Sequence, residues 1–257
     1  MLTRCFGKEI LLKVEYQATE RSRSVPVRHS LGRPVRLVGF LTDLAPACYA
    51  MDMRTLISLC LFAVLTTPAL ALAEDVTEPG TGHAFPAERS YNGKSYRLVG
   101  VGLRKKFIIK VYAMGLYAEQ EGGKSAFAAS SDHGQGFFTR GDFDKLAVLH
   151  FAREVDSGKI REAYRESMGD ELAAGGERQK AAEAFLALFD RDVKKGEDLV
   201  IHTTSDGQVT VEVGGQKKTG PMSKQLATAI WNIWLGARPP SPDMRTTLIQ
   251  RISVLGK

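Results

Sequence analysis

The stretch SYRLVGVGLRKKFIIKVYAMGLYAE, residues 95–119, decides the fold of this chain. It is rich in Val, Ile, Leu and Tyr and is broken only by a basic pair near its middle, so it predicts two long antiparallel strands joined by a turn. Side chains alternate between the two faces of a strand, which places four residues of the first strand together: Leu98, Gly100, Gly102 and Arg104. The two glycines leave a patch without side chains, and glycine inside a strand marks a bulge or a close approach by another group.

The turn between these strands carries the one unusual concentration of charge. On the second strand, alternation gives Ile108, Lys110, Tyr112 and Met114 a common face. A guanidinium at Arg104, beside a phenol at Tyr112, can hold a carboxylate through charge-assisted hydrogen bonds. The alternative is an ordinary basic turn exposed to solvent, and the spacing alone leaves both interpretations open.

The chain after this hairpin alternates helix and strand patterns. Residues 120–142 are rich in Gly and Ser and predict a connection with a short helix near residues 124–130. Residues 145–155 predict a third strand, with one side formed by Ala147, Leu149, Phe151 and Arg153. Ser157 is a candidate cap for a helix with apolar residues at helical spacing: Ile160, Ala163, Tyr164 and Met168. A second helix is predicted over residues 178–189.

The C-terminal third predicts a further hairpin and two more helices. Asp206-Gly207 separates two alternating runs, which is a strong hairpin signal. Residues 222–235 predict a helix followed by Gly236, and Ser241-Pro242 opens the last one. Residues 74–92 are rich in Pro and Gly and predict irregular structure. These patterns indicate one α+β domain over residues 74–257, a large antiparallel sheet covered on one side by helices.

Residues 51–73 predict a cleavable signal peptide. Arg54 precedes a ten-residue apolar run, and Ala71-Leu72-Ala73 supplies the small residues that signal peptidase recognises. A transmembrane anchor is the alternative, but the run is too short to cross ~30 Å of hydrocarbon. A lipoprotein attached through Cys60 is a weaker alternative. We expect a mature chain that begins at Glu74, has no membrane span and lies in the periplasm.

Residues 1–50 are predicted to stand outside the fold. They are rich in arginine, lack clear periodicity and precede the signal peptide, so they indicate an over-extended N-terminus with the true start at Met51 or Met53. An organelle transit peptide is the alternative, which the three glutamates of this stretch disfavour.

Composition excludes several classes of protein. The 257 residues include 35 Lys and Arg against 29 Asp and Glu, but 9 and 5 of these lie in residues 1–73. The 26 basic and 24 acidic residues that remain give a net charge of about +2, so we expect no nucleic-acid partner. All three cysteines also precede residue 74, which excludes disulfides and thiol catalysis in the predicted domain.

No motif in the sequence predicts a cofactor or a metal. The chain has no Walker A loop, no HExxH, no GxSxG and no complete GxGxxG pattern. Its histidines are scattered over separate elements, and no pair has metal-ligand spacing. Trp231 and Trp234 lie three residues apart on a predicted helix, where core packing is the simplest role.

The order of these segments resembles the chalcone isomerase-like superfamily. The matching stretches are GVGLR at residues 100–104, KVYAMGLYAE at 110–119, LHFAREV at 149–155, the hairpin around Asp206-Gly207, and ATAIWNIWLGARPPSPDMRTTL at 227–248. The likeness covers nearly all of residues 85–257 and is greatest to the bacterial secreted branch. The superfamily contains plant enzymes that cyclise chalcones and non-catalytic fatty-acid-binding relatives. It implies a large antiparallel sheet covered by helices.

The resemblance implies binding more than catalysis. Arg104 matches the arginine of the enzymes' cleft, and Tyr112 stands where those enzymes carry a threonine. Their tyrosine, lysine and asparagine fall near Ile160, Ala163 and Ser167, so the catalytic set is not recovered and catalytic activity stays an open question. The leading hypothesis is a periplasmic protein that binds a fatty acid or a similar amphipathic carboxylate through Arg104 and Tyr112. An isomerase (intramolecular lyase) of unidentified substrate and an envelope interaction protein with a vestigial cleft are the alternatives.

Overall fold

Seven antiparallel strands form one sheet in the computed structural model, which describes residues 74–257. The predicted signal peptide at residues 51–73 and the stretch 1–50 lie outside the described residues. The sheet order follows the chain: β3 (Glu88–Tyr91), β4 (Lys94–Lys106), β5 (Ile109–Glu119), β6 (Lys145–Phe151), β7 (Asp198–Thr203), β8 (Gln208–Val213) and β9 (Gln216–Met222). A separate two-stranded ribbon precedes it, formed by β1 (Val76–Thr77) and β2 (Ala84–Phe85).

The helices lie between the strands in sequence. They are α1 (Gln120–Ala129), α2 (Gln135–Arg140), α3 (Ser157–Ser167), α4 (Gly169–Ala173), α5 (Gly176–Ala187), α6 (Lys224–Leu235) and α7 (Pro242–Thr247), followed by a 3₁₀ turn over Ile252–Gly256. None of the helices in residues 74–257 is long and apolar enough to cross a membrane. The predicted α+β class, a large antiparallel sheet with helices on one side, is confirmed.

Two outer strands, β3 and β9, were not predicted from the sequence. Asn92-Gly93 joins β3 to β4, and Gly214-Gly215 joins β8 to β9. All four turn residues have positive φ angles, between 49° and 77°. Such two-residue turns match the twist of paired strands, and Asn-Gly and Gly-Gly adopt them at little cost. The prediction that residues 74–92 are irregular was therefore wrong for β3 and for the short strands β1 and β2.

A register shift in β4 corrects the predicted face of the first strand. Leu98 pairs with Tyr117, whereas Gly100 pairs with Leu116, so Val99 is an extra residue between the two pairs. An inserted residue reverses the face on which the following side chains lie. Leu98 consequently packs on the side of the sheet away from the helices, while Gly100 and Gly102 lie on the helix side with Arg104.

The main core lies between the sheet and the helices. Ala147, Leu149 and Phe151 of β6 contribute to it, as predicted, whereas Arg153 lies beyond the end of that strand. The helix α3 is capped by Asp156, whose side chain accepts a hydrogen bond from the Lys159 N–H, and not by Ser157.

The opposite face of the sheet lies on the inside of a curl, so that strands from different parts of the sheet cover one another there. The β1–β2 ribbon covers the remainder. This face has its own cluster of buried residues, which are Phe85, Tyr96, Leu98, Ala113, Tyr117, Leu146, Val148 and Val200. The hydroxyl of Tyr91 in β3 donates to Glu212 in β8 at 3.2 Å, although four strands separate them in the sheet. This contact requires the sheet to curl until its two edges approach each other.

Candidate functional site

Arg104 and Tyr112 lie side by side at one end of the helix-facing surface. They are directly paired across β4 and β5, so their side chains emerge from the same face of the sheet. The next pair, Lys105 with Lys110, shows a second register shift, in which Val111 is an extra residue between the two pairs. The predicted juxtaposition of the guanidinium and the phenol is therefore present.

The Arg104 guanidinium binds two backbone carbonyls. Its Nη1 donates to the carbonyl oxygen of Pro240, in the segment before α7, and to that of Lys105 at 3.2 Å. Within residues 74–257 it forms no ion pair, and its Nε and Nη2 donate to no protein acceptor. A guanidinium carries five N–H donors, so the unused ones are available to an anionic ligand.

The Tyr112 hydroxyl is an acceptor whose own proton is uncommitted. It accepts a hydrogen bond from the indole Nε1 of Trp234 at 2.9 Å. Burial raises the pKa of Tyr112, and the Trp234 bond and the nearby Arg104 charge offset only part of that rise. The phenol therefore stays protonated at neutral pH and can donate to a ligand.

Tyr164 is a third donor, which sequence reasoning did not assign to the site. It lies on the buried face of α3, and within the described residues its hydroxyl makes no hydrogen bond. Burial raises its pKa well above the ordinary value, and the proximity of Tyr112 raises it further. Helical spacing indicated that Tyr164 faces inward, but no local signal shows that it meets a residue on β5.

Aromatic side chains surround these donors. The Phe151 ring lies 5.5 Å from that of Tyr112, and the Phe189 ring lies 4.7 Å from that of Tyr164. Phe185 and Trp234 pack against Tyr164 edge to face, at 5.7 and 6.2 Å. All four of these phenylalanine and tryptophan side chains are at most 3% exposed, which gives the donors an apolar setting.

The glycine patch beside Arg104 is covered by the chain itself. A Cβ atom at Gly100 would overlap the carbonyl oxygens of Thr247 and Leu248, and one at Gly102 would lie 3.2 Å from the Leu248 side chain. The close approach that the glycines predicted is thus made by the C-terminal end of α7. Leu248 is fully buried there.

Two open clefts in the described residues lie away from these donors. One, of about 350 Å³, is formed by α1 and α2 around Phe137 and Arg140. The other, of about 370 Å³, lies beside the β1–β2 ribbon and contains His83, His150 and Asp198. Neither includes Arg104 or Tyr112.

Two of the histidines that are scattered in the sequence, His83 and His150, lie together in the second cleft with Asp198. Their ligand atoms lie within 4.8 Å of one another, and His150 Nδ1 is 2.8 Å from Asp198 Oδ1. The two imidazoles, however, are stacked face to face with centroids 3.6 Å apart. Parallel rings direct their nitrogen lone pairs side by side instead of toward one point, so this is a packing arrangement that fixes the ribbon to the sheet.

The model of the family described as "Chalcone isomerase-like" matches residues 79–250. The chain belongs to this family. It is 30% identical over 203 residues to fatty-acid-binding protein 1 of Arabidopsis thaliana, covering 71% of this chain and 72% of that protein. The crystal structure of an Arabidopsis thaliana fatty-acid-binding protein superposes with a TM-score of 0.61 at 24% identity, covering 71% of this chain and 99% of the other.

Within the chalcone isomerase-like fold, α3 buries a different set of residues from the positions that the resemblance pointed to. Ile160, Tyr164 and Met168 are buried, whereas Ala163 and Ser167 are exposed. The Ser167 hydroxyl donates to the Ala163 carbonyl oxygen at 2.9 Å and so serves the helix surface. The inference that Ala163 faces inward was therefore wrong: it lies about 60° around the helix from Ile160, on the side away from Tyr164, and is exposed.

Proposed function

We propose that this protein binds a fatty acid or a similar amphipathic carboxylate and does not catalyse its conversion. The observation that carries the proposal is the pairing of Arg104 with Tyr112, whose side chains keep unused N–H and O–H donors, at the edge of an aromatic cluster to which Tyr164 belongs through Trp234. A carboxylate accepts several hydrogen bonds, and charge-assisted ones are about twice as strong as neutral ones. An alkyl chain gains free energy by leaving water for an apolar setting.

The name of the Arabidopsis thaliana relative, a fatty-acid-binding protein, supports this choice of ligand. The chalcone isomerase-like fold is shared with enzymes, but α3 presents only Ile160, Tyr164 and Met168 to the interior, and none of these carries an amine or an amide. We expect chalcone cyclisation in the presence of the protein to be no faster than in a protein-free blank.

The ligand's place is at present filled by the segment around α7. Arg104 binds the Pro240 carbonyl and the glycine patch receives Thr247 and Leu248. Binding therefore requires this segment to move outward, which exchanges a neutral acceptor on Arg104 for a carboxylate. The glycines of β4 then form a floor without side chains, along which an alkyl chain can lie.

The test is a titration of wild type, Arg104→Ala and Lys105→Ala with palmitate. Removing a charged partner from a desolvated carboxylate costs about 2 kcal/mol or more, which is roughly 30-fold in affinity. Lys105 is exposed on the same turn, and its loss should cost no more than about 1 kcal/mol. Arg104→Lys keeps the positive charge but loses the paired N–H donors of the guanidinium. Its affinity for palmitate should lie between those of the two alanine variants. Equal affinity of wild type and Arg104→Ala for palmitate would overturn the assignment.

We further propose that the chain is exported to the periplasm, as in a bacterial secreted branch of the family. The signal-peptide pattern of residues 51–73 supports this, with cleavage after Ala73. Cell fractionation and N-terminal sequencing of the native protein test it. A mature N-terminus at Glu74 in the periplasmic fraction is expected, and a cytosolic protein that retains residues 51–73 would contradict the proposal.

A further inference from the structure

The turn between β4 and β5 exposes three consecutive large apolar side chains. Phe107 is 90% exposed, Ile108 93% and Ile109 47%. Among the described residues only Met222 is a comparably exposed large apolar side chain. Scattered single exposed hydrophobic residues are normal, but a contiguous group marks an interaction site. We call residues 105–110 the hairpin tip.

The backbone of the hairpin tip is also unusual. Phe107 has a φ angle of 57°, in the left-handed region that bulky residues rarely adopt. Glycine or asparagine would form this turn without strain. A phenylalanine at this position does not lower the backbone strain, and its exposed side chain contributes nothing to the core. We infer that the side chain serves a contact outside the protein.

Lysines surround the apolar residues. Lys105, Lys106 and Lys110 are all exposed and form no ion pair within residues 74–257. Lys110 donates to the carbonyl oxygen of Gly80, which leaves its positive charge unneutralised. The sequence carries no acidic residue between positions 98 and 118. The apolar group therefore has lysines on both sides of it in the hairpin and no acidic residue within the hairpin strands near it.

We propose that the hairpin tip docks this protein on an anionic lipid bilayer. Aromatic and aliphatic side chains enter the boundary between headgroups and acyl chains, while flanking lysines bind the anionic headgroups. The charge also argues against a second copy of the chain as the occupant, because two tips in contact would bring six lysines together. An anionic bilayer satisfies both the apolar and the basic part of the surface.

The position of the tip connects it with the proposed ligand site. Arg104 directly precedes Lys105 at the end of β4, so the carboxylate-binding end of the site lies at the membrane-facing end of the hairpin. A fatty acid taken from the bilayer would meet Arg104 first. This link depends on the proposed function, whereas the membrane contact itself does not.

Vesicle co-sedimentation tests the docking. Wild type, purified from cells in its native processed form, is incubated with phosphatidylcholine vesicles, with and without phosphatidylglycerol, at low and at high salt. We expect binding that increases with phosphatidylglycerol and falls with salt. Phe107→Ser/Ile108→Ser should reduce the partition coefficient at least tenfold. Lys105→Gln/Lys106→Gln should reduce it by about fivefold for each lysine.

Two control variants carry the same kinds of substitution at positions outside the hairpin tip. Met222→Ser removes an exposed apolar side chain elsewhere, and Lys195→Gln removes an exposed lysine outside the hairpin tip that, like the tip lysines, forms no ion pair within residues 74–257. Both should bind vesicles within about twofold of wild type, a difference of less than ~0.5 kcal/mol. Equal losses in the control and the tip variants would show that only overall charge or hydrophobicity matters, and would overturn the proposal.

Palmitate titration without vesicles separates this inference from the proposed function. Tip variants that retain palmitate affinity but lose vesicle binding support the docking. Vesicle binding by wild type without palmitate affinity would remove the proposed function and leave the docking in place. No enrichment on anionic vesicles, or a dimer in solution that Phe107→Ser/Ile108→Ser abolishes, would overturn the docking.

Discussion

At the scale of single residues, the site depends on hydrogen-bond capacity that the protein leaves unused. Among residues 74–257, only one nitrogen of the Arg104 guanidinium donates to backbone carbonyls. The Tyr112 hydroxyl accepts a hydrogen bond from Trp234 but donates none within the described residues. Sequence alternation brought Arg104 and Tyr112 together, because pairing across a hairpin is a local property. Tyr164 could not be found this way, since it reaches the site from a helix some fifty residues further along the chain.

Tyr164→Phe should weaken palmitate binding by about tenfold while leaving stability nearly unchanged. A hydrogen bond to a charged group contributes about 1.5 kcal/mol or more, which corresponds to that factor. The hydroxyl makes no hydrogen bond within residues 74–257, so its removal breaks none of the protein's own. Titration and a thermal melt measure the two quantities.

Tyr117→Phe is the matched control. Its hydroxyl is also buried and without a hydrogen-bond partner in the described residues, but it lies on the other face of the sheet. Palmitate affinity should not change. A loss of affinity in Tyr117→Phe as large as that in Tyr164→Phe would mean that the two variants act through the fold and not through the ligand.

At the scale of elements, the sequence predicted what local periodicity determines. The hairpin at Asp206-Gly207 and the inward residues of β6 are confirmed. The glycines of β4 indicated a bulge or a close approach but not the position of the extra residue, so Leu98 was assigned to the wrong face of the strand. The strand β3 was missed since its four residues, Glu88–Tyr91, carry no apolar run and are held by pairing with β4.

Gly100→Ala should lower the free energy of unfolding by about 1–3 kcal/mol, the usual cost of overpacking. The new methyl group would meet backbone carbonyls of Thr247 and Leu248, which cannot rotate away as a side chain can. Gly169→Ala in α4 is the control, because its Cβ has open space around it. It should be neutral or stabilising by up to ~1 kcal/mol. Urea unfolding measures the free energy of unfolding of both variants. If Gly100→Ala were as stable as wild type, α7 would be able to shift away from β4 without cost.

At the scale of the whole molecule, the curl of the sheet creates a second buried cluster, on the face away from the helices, which no local sequence pattern predicted. We call this cluster the second interior. Tyr91 and Glu212 join strands from opposite parts of the sheet, and the Tyr91 ring lies 5.1 Å from that of His202. Periodicity assigns a strand two faces but does not say whether the face away from the helices meets solvent or another strand. That face is closed by contacts between residues more than a hundred positions apart.

This second interior makes the molecule sensitive to acid through His202. The imidazole is almost fully buried, and its Nε2 is 2.8 Å from the Tyr96 hydroxyl. Burial lowers its pKa from 6.5 to about 4. Between these two values the unfolded chain binds a proton that the folded protein does not, so stability falls as the pH falls from 6.5 and the loss is complete below about 4. A shift of that size corresponds to roughly 3 kcal/mol.

His202→Gln should remove most of this pH dependence, because an amide can still bond to Tyr96 but does not titrate. Urea unfolding at pH 7.5 and at pH 4.5 measures the change in unfolding free energy for wild type and variant. The carboxylates that titrate in this range are common to both proteins and cancel in the difference. His83, whose pKa is lowered by burial and by the neighbouring His150, adds a loss of the same sign that His83→Gln isolates. An unchanged pH slope in His202→Gln would show that the buried imidazole takes up its proton without unfolding, and that the curled face opens locally.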